Sequence, residues 1–409
     1  MKKIYGILPA LVAIVISFSC NPSKKENVMY EKGTFGYDLK FLSEKDSLIV
    51  LKANEDKAQV IVSAKYQGKV FTSTANGLEG NSLGFVNYDV LNSETIDEHM
   101  NGYGGENRFW LGPEGGQYSV YFEKGKEQIY DNWHTPKPID TEVWDIVSSD
   151  SKQATLKKEM EVTNYQGNKL RLNVDRKVSI METADIYNSL GLTGIAGIDA
   201  LGYITDNKIT NLNDYEWTKE TGTICIWILD MFIPAPKALT VIPFNEGDVK
   251  ELGTIATTDY FGEIPADRLK VKDGILYLKT DGKFRSKLGM NGKRTKAIAG
   301  NYDPDSKRLT ITTYDVEQDA TYLNQEWNPA KDPLVGDAMN AYNDGPLEDG
   351  SIMGPFLEVE SVSPAAFLKP NESLNHKHTV YHFIGEPDKL TAITEKLLGV
   401  SINEINSIF

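Results

Sequence analysis

The sequence predicts an all-β protein with short helices at its C-terminus. Runs rich in Val, Ile, Thr, Tyr and Phe recur along the chain, and each is bounded by Gly, Asn, Asp or Pro. Turn-forming pairs such as Asp273-Gly274 and Asp281-Gly282 separate neighbouring runs. Apolar residues at helical spacing are found mainly after Pro387. We therefore expect two β-sheets packed around a common core.

The N-terminus predicts export and a lipid anchor. Two lysines precede an apolar run from Ile4 to Phe18, which is too short to span a bilayer. Ser19 and Cys20 then resemble the end of a bacterial lipoprotein signal, in which case Cys20 becomes the lipidated N-terminus. The alternative is ordinary secretion with cleavage near Ser19. We expect a lipid-anchored protein of the bacterial cell envelope, with the membrane face left open.

Composition divides the rest of the chain into a tether and a folded body. Asn21 to Lys32 is polar and has no periodicity, which suits a tether. Beyond it we find no internal repeat, low-complexity tract or strong linker. We therefore expect a signal peptide, a tether that starts at lipidated Cys20, and a single β-domain, over residues 1–19, 20–32 and 33–409.

Charge and cysteine content exclude several classes of partner. The formal charge is −15, so the body of the protein is not expected to bind nucleic acid or an anionic membrane surface. If Cys20 carries lipid, Cys225 is the remaining cysteine, and neither an intramolecular disulfide nor a cysteine-based metal site is expected. Cys225 lies in an apolar run and is interpreted as a buried core thiol.

The predicted strands and helices follow the chain in order. Pro387 can open a helix and Gly399 can end it, and Ser401 with Glu404 forms a capping-box pattern for a second helix. The predicted strands are Ser47–Ala53, Ala58–Lys65, Gln117–Phe122, Gln153–Thr163, Lys169–Ile180, Thr221–Phe232, Gly274–Thr280, Arg308–Tyr314, Phe356–Ser361 and His376–Phe383.

A glycine-rich stretch, Asn101 to Phe122, is interpreted as a loop that leads into the strand beginning at Gln117. Arg108 and Glu114 lie in it among residues that favour burial, and buried charges need partners. These two residues either pair with each other or contact a ligand, and the sequence leaves both readings open.

Two polar strand faces occur late in the chain. Alternation places Glu358 and Glu360 on one face, where they need solvent or a polar pocket. The same rule places His376, His378 and His382 together on one face of the next strand. These histidines could ligate zinc, donate hydrogen bonds to a polyol, or form a solvated face.

A cluster of oxygen-bearing side chains precedes these strands. It offers ligands of the kind that calcium prefers but lacks the spacing of a calcium loop, so a role in turns explains it equally well. We therefore expect no cofactor, with a calcium or zinc ion left open. The cluster consists of Asp337, Asn340, Asn343 and Asp344.

A basic run interrupts this acidic chain, and a solvated hairpin tip is the expected explanation. Its members are Lys283, Arg285, Lys287, Lys293 and Arg294.

Tryptophans in polar, loop-like contexts could stack on the C–H faces of sugar rings. Trp110, Trp133 and Trp327 are of this kind. Trp227 lies in an apolar run and is expected in the core.

Short motifs relate the chain to a known superfamily. Asn107-Arg108 in the glycine-rich stretch, FLEVES from Phe356 and LKPNES from Leu368 resemble the galactose mutarotase-like (aldose 1-epimerase-like) superfamily. GGENRFWLGPEGGQ, YNDGP and GPFLEVESVSPAAFLKP are similar to a family of bacterial envelope lipoproteins of uncharacterised function that we associate with that fold. The closer resemblance covers most of residues 33 to 400.

The resemblance implies a β-supersandwich with a carbohydrate site on a concave sheet face. Glu358 matches the glutamate that acts as general base on the anomeric hydroxyl, and Arg108 matches an arginine that holds sugar hydroxyls. The histidine that acts as general acid in the superfamily has no counterpart in this chain, because the most similar segment has Leu212 at that position. His134 and His376 are the candidates to replace it.

These observations favour a lipid-anchored envelope protein that recognises a carbohydrate. The alternatives are a carbohydrate-active enzyme of the epimerase type, and a structural protein whose pocket is vestigial. The sequence contains no Gly-x-Ser-x-Gly, phosphate-binding glycine loop or zinc-protease motif. The candidate catalytic residues are Glu358, His134 and His376, and the candidate carbohydrate-binding residues are Asn107, Arg108, Glu114, Trp133, Lys287, Asn324, Asn343 and His378.

Overall fold

The structure is a computed structural model that describes Met1 and residues 29–93, 95–347 and 349–409. The predicted signal peptide, Cys20 and most of the predicted tether lie outside the described residues. No helix in the described ranges is long and apolar enough to cross a membrane.

Two antiparallel sheets make up most of the described chain. In spatial order, the first sheet contains β1 (Ile49–Ala53), β2 (Ala58–Ser63), β3 (Lys69–Thr74), β4 (Asn107–Gly112), β9 (Cys225–Phe232), β17 (Leu357–Val362), β16 (Met339–Asn343) and β13 (Ser286–Met290). The second sheet contains β11 (Leu269–Lys272), β12 (Ile275–Lys279), β10 (Leu239–Pro243), β14 (Ile298–Asp303), β15 (Arg308–Tyr314), β18 (Ser373–Ile384), β8 (Asp199–Asn211), β7 (Lys169–Ile180), β6 (Gln153–Thr163) and β5 (Asp145–Ser149).

Short helices pack against these sheets. They are α1 (Phe35–Ser43), α2 (Tyr88–Asn92), α3 (Lys137–Asp140), α4 (Thr183–Ser189), α5 (Val249–Leu252), α6 (Pro387–Leu398) and α7 (Ile402–Asn406), with a 3₁₀ turn at Tyr130–Asn132.

The predicted all-β class is confirmed, and so are the C-terminal helices. Strands β6, β7 and β15 have the predicted bounds. Helix α6 begins at Pro387 and ends before Gly399, whose φ of 76° is the left-handed conformation that glycine favours. Ser401 and Glu404 form the predicted capping box at the start of α7.

The prediction for the glycine-rich stretch is wrong in one respect. Its strand is β4, which pairs with β9, whereas residues 117–122 form turns and a single bridge from Phe122 to Trp133. Tyr121 is buried and its hydroxyl donates to the Leu111 carbonyl at 2.8 Å. The apolar side chains of this segment thus fill the core from a loop. All six residues of β4 are buried, so it lacks the alternation that marks a strand.

Polar side chains link the two sheets inside the core. Asp230 of β9 accepts a hydrogen bond from the Asn107 amide at 2.7 Å and lies 2.7 Å from Nε2 of His378 on β18. Ser361 Oγ of β17 lies 2.8 Å from both His378 Nδ1 and His376 Nε2. None of these five side chains is measurably exposed.

This placement corrects the prediction for the histidine strand. The histidines do share a face, as alternation predicted, but that face meets the first sheet rather than a ligand or solvent. His382 Nε2 likewise lies 2.9 Å from Glu106 Oε1 in the interior. The opposite face of β18 is also covered, because Tyr381 and Phe383 pack with residues of α4 and α6.

Arg176 of β7 adds a buried cation to the same interior. Its guanidinium donates to the Gly68 carbonyl at 2.9 Å and to the side chains of Asn107 and Asn207. Burial lowers the pKa of Arg176 to about 10, while the neighbouring Tyr203 and Asp230 act in the opposite direction.

Asp230→Ala is expected to lower the free energy of unfolding by about 3–5 kcal/mol, because it leaves His378 and Asn107 without their shared acceptor and removes the carboxylate nearest Arg176. Urea denaturation measures this change. The control is Glu161→Ala, which removes an exposed ion pair to Lys169 and should cost less than about 1 kcal/mol. Equal denaturation midpoints for Asp230→Ala and the wild type would contradict the importance of this network.

Candidate functional site

The outer face of the first sheet carries a cavity of about 320 Å³. Odd-numbered residues of β4, such as Asn107, point to the second sheet, so the even-numbered Arg108 and Trp110 point away from it. The same alternation on β17 sends Glu358 and Glu360 to the cavity. Neighbouring strands β9, β13 and β16 supply further side chains, and loops close the sides.

Nine of the 22 residues that line the cavity are aromatic. Trp133 stacks on Trp327 with ring centroids 5.9 Å apart and an interplanar angle of 24°. Trp110 meets Trp227 edge to face at 5.6 Å. The other aromatic residues of the wall are Phe85, Tyr130, Phe261, Tyr342 and Phe356. Flat apolar rings around a polar floor are typical of sites for small amphipathic ligands.

Two ion pairs lie on the floor of the cavity. Arg108 pairs with Glu358, and each of these side chains is 8% exposed. Lys287 Nζ lies 2.9 Å from Glu360 Oε2, and that oxygen also accepts from Trp227 Nε1 at 2.8 Å. The alternative that Arg108 pairs with Glu114 is therefore wrong. The partner of Arg108 comes from a strand 250 residues away.

Burial changes the pKa of two glutamates that line the cavity, Glu358 and Glu114. It raises the pKa of Glu358, although the Arg108 guanidinium opposes this effect. Burial also raises the pKa of the partly buried Glu114 to about 7, with Lys287 opposing and Glu360 reinforcing the rise. For Lys287, burial lowers the pKa but the Glu360 and Glu114 carboxylates outweigh it, so the net shift is upward. Lys287 therefore stays protonated beside Glu360.

Three buried polar atoms of the cavity have no hydrogen-bond partner among the described residues. They are Nε of Arg108, Nε1 of Trp133 and Oε1 of Glu360. Two are donors and one is an acceptor. Buried polar groups are nearly always paired, so three partnerless atoms on residues that line one cavity are unusual.

The structure brings five of the predicted site residues together in this cavity: Arg108, Glu114, Trp133, Lys287 and Glu358. Their side chains come from β4, β13, β17 and the two loops that follow β4.

The other candidates lie elsewhere. Asn107, His376 and His378 are buried between the sheets. Asn343 accepts from the Gly282 amide at 2.9 Å and donates to the Phe284 carbonyl at 2.8 Å, so its role is in a turn. Asn324 lines a separate cavity.

His134 lies beyond the rim of the cavity. Its ring is exposed and stacks on His99 at 4.8 Å, and His99 in turn contacts Tyr130 of the cavity wall at 4.6 Å. Among the described residues that line the cavity there is no histidine.

Sequence reasoning missed several lining residues. Glu360 could have been found, because alternation already placed it beside Glu358. Trp227 was expected in the core, and the uniform burial of β9 gives no sign that one of its faces meets a cavity. The prediction that the basic run is a solvated hairpin tip is wrong for three of its members. Lys287 and Arg294 are buried, and Arg285 lines the cavity.

The cluster for which a calcium site or a role in turns was left open makes contacts at two different tyrosines. Asp337 accepts from the Tyr260 hydroxyl at 2.7 Å, and Asn340 donates to that hydroxyl at 3.3 Å. Asp344 instead accepts from the Tyr342 hydroxyl at 3.0 Å. Within the described ranges, no three His, Cys, Asp or Glu side chains are grouped in a way that could hold a metal ion.

Comparison with known proteins gives one match by sequence and several by structure. The model of a family of unknown function, DUF6786, matches residues 33–409. No curated protein matches the chain in sequence. A candidate aldose 1-epimerase from Escherichia coli K12 is similar in structure, with 11% identity, a TM-score of 0.49, and coverage of 82% of this chain and 98% of that one. A galactose mutarotase-like protein from Lactobacillus casei ATCC 334 has 11% identity and a TM-score of 0.46, over 82% of this chain and 100% of that one. Likeness at this level does not extend to activity.

Glu114→Gln is expected to make stability less dependent on pH. The folded pKa of Glu114, about 7, is raised above its ordinary value of 4.5, so the folded state binds the proton more tightly. In the wild type this group therefore lowers the free energy of unfolding as pH rises from about 4.5 through about 7.

Urea denaturation at pH 5 and pH 8 measures the effect. The loss of stability between these values should be smaller in Glu114→Gln by on the order of 1–3 kcal/mol, since one unit of pKa corresponds to about 1.4 kcal/mol. Glu263→Gln, at an exposed glutamate, serves as the control and should behave as the wild type does. Identical losses in all three proteins would contradict the raised pKa of Glu114.

Proposed function

The chain belongs to the DUF6786 family of unknown function, and we propose that it binds a carbohydrate in the cavity on the outer face of the first sheet. The observation that supports this most is the combination of four tryptophans with three buried polar atoms that lack partners among the described residues. A sugar matches both features. Its C–H faces stack on aromatic rings, and its hydroxyls both donate and accept hydrogen bonds.

The geometry suggests how a ring would bind. The stacked rings of Trp133 and Trp327 supply apolar surface, and the floor presents Arg108 and Glu360. A hydroxyl that accepts from Arg108 Nε or donates to Glu360 Oε1 would satisfy an atom that is otherwise costly to bury, at about 1–3 kcal/mol each. The ion pairs hold both floor residues in place before the ligand arrives, which reduces the entropy lost on binding.

The two alternatives have less support. An epimerase-type reaction needs a proton donor at the ring oxygen as well as the base Glu358. Neither candidate donor, His134 or His376, lies in the cavity. A vestigial pocket would retain the cost of buried ion pairs and partnerless atoms with no compensating ligand.

A thermal-shift screen of the full chain against common monosaccharides and their oligosaccharides would identify the ligand. A ligand at 100 times its Kd stabilises a protein by about 2.7 kcal/mol, which raises the melting temperature measurably. Absence of any shift across the panel, with no binding by calorimetry, would overturn the proposed function.

Trp133→Phe is expected to weaken the sugar identified in that screen by about 10-fold, because it keeps an aromatic ring but removes the Nε1 donor. Calorimetric titration measures the change. Trp144→Phe is the matched control, since Trp144 is buried outside the cavity and donates to the Pro138 carbonyl at 2.8 Å. It should lose stability and keep its affinity. Equal affinity of Trp133→Phe and the wild type would remove this donor from the site.

We also propose that the protein is held at the cell envelope by a lipid on Cys20, a residue outside the described part of the chain. Support comes from the apolar run from Ile4 to Phe18 and from Ser19, which together precede this cysteine. Cys20→Ser should release the protein from the membrane fraction and abolish incorporation of labelled palmitate, whereas Cys225→Ser should change neither. Unchanged labelling in Cys20→Ser would contradict the anchor.

A further inference from the structure

We propose that the carbohydrate bound in this cavity carries an anionic group, a carboxylate or a sulfate, and that Arg285 binds that group. This inference rests on the proposed function and adds the chemical class of the sugar. It arises from the one guanidinium of the cavity lining, as far as the structure describes it, that has no carboxylate partner.

Arg285 is held in place without a direct ion pair to a described carboxylate. Its guanidinium carbon lies 3.8 Å from the centroid of the Phe261 ring, and its Nε donates to the Tyr342 hydroxyl at 3.3 Å. Neither terminal nitrogen has a hydrogen-bond partner among the described residues, nor is any described carboxylate oxygen within 4.0 Å. Two parallel N–H donors in a fixed plane match the oxygens of a carboxylate or sulfate.

The other cations of the cavity do not compete for this role. Arg108 is paired with Glu358, and Lys287 is paired with Glu360. Arg285 is the cation of the lining without a direct carboxylate contact, because the Tyr342 hydroxyl lies between it and Asp344, donating to Asp344 Oδ1 at 3.0 Å. Stacking on an aromatic ring fixes the plane of a guanidinium and leaves its edge free for a ligand.

The net negative charge of the protein does not prevent Arg285 from attracting an anion inside the cavity. The formal charge of −15 is spread over the chain, and at physiological salt such charges are screened beyond about 8 Å. Within the cavity Glu358 and Glu360 are matched by cations, which leaves Glu114. Burial raises the pKa of Glu114 to about 7, so near neutral pH it carries only part of a charge.

A purely structural role for Arg285 would look different, and the chain contains an example. Arg268 also lies over a phenylalanine, with 5.3 Å between its guanidinium carbon and the centroid of Phe284. Its Nη2, however, donates to Asp281 at 2.5 Å, and it does not line the cavity. The two arginines thus share an aromatic contact and differ in the partner of the guanidinium, which makes Arg268 a matched control.

The test compares sugars that differ in one anionic group. Calorimetric titration of the full chain uses glucose against glucuronate, galactose against galacturonate, and N-acetylglucosamine against its 6-sulfate. Glucosamine is included as a cationic sugar. Each titration is repeated with Arg285→Gln and Arg268→Gln, whose melting temperatures are measured first to establish that both fold.

We expect the wild type to bind at least one anionic sugar 10-fold or more tightly than its neutral counterpart. Arg285→Gln should lose this preference, so that its affinities for the anionic sugar and the neutral counterpart lie within about 2-fold of each other, and Arg268→Gln should keep it. Arg285→Lys should retain part of it, because the charge remains and the planar fork is lost.

The outcomes separate this inference from the proposed function. Neutral sugars, or glucosamine, that bind as tightly as the anionic members would overturn the inference and leave carbohydrate binding standing. A preference for anionic sugars that persists in Arg285→Gln would also overturn it, because the anion would then lie elsewhere. If neither neutral nor charged sugars bind the wild type, carbohydrate binding itself fails.

Discussion

Asp230 of β9 connects the two sheets inside the core, behind the strands whose other face lines the cavity. It contacts β4 through Asn107 and β18 through His378, and the Thr312 hydroxyl of β15 lies 3.3 Å from its Oδ2. Because side chains alternate along a strand, fixing Asn107 inward fixes Arg108 outward. The interior network therefore determines which residues reach the cavity on the other face, although it contributes no atom to that cavity.

Burying the two ion pairs of the cavity costs free energy. Burying two ions costs more than their attraction returns in many proteins, and apolar replacements are often as stable. Here the paired residues lie far apart in sequence, with 250 residues between Arg108 and Glu358 and 73 between Lys287 and Glu360. Such pairs form only when β4, β13 and β17 have reached their final order. Their cost is easier to understand if they hold polar groups in position for a ligand than if they serve stability.

Much of the fold could be predicted because long, half-exposed strands carry a period of two. Strands β6 and β7 alternate between buried and exposed positions, and their predicted ends were confirmed. Strand β4 was missed because both of its faces are buried. Alternation also predicted that Glu358 and Glu360 share a face. It could not predict which face of β18 meets the other sheet, since that depends on the strands on either side, and so the histidines were assigned the wrong surroundings.

The tryptophans of the wall have a practical consequence. The chain has six tryptophans, and four of them, Trp110, Trp133, Trp227 and Trp327, line the cavity. The remaining two, Trp144 and Trp217, are buried in the core. Most of the tryptophans that could fluoresce therefore lie beside the place where a ligand would sit. Occupancy of the cavity should change the intensity or wavelength of that emission, so the unlabelled protein acts as its own optical reporter.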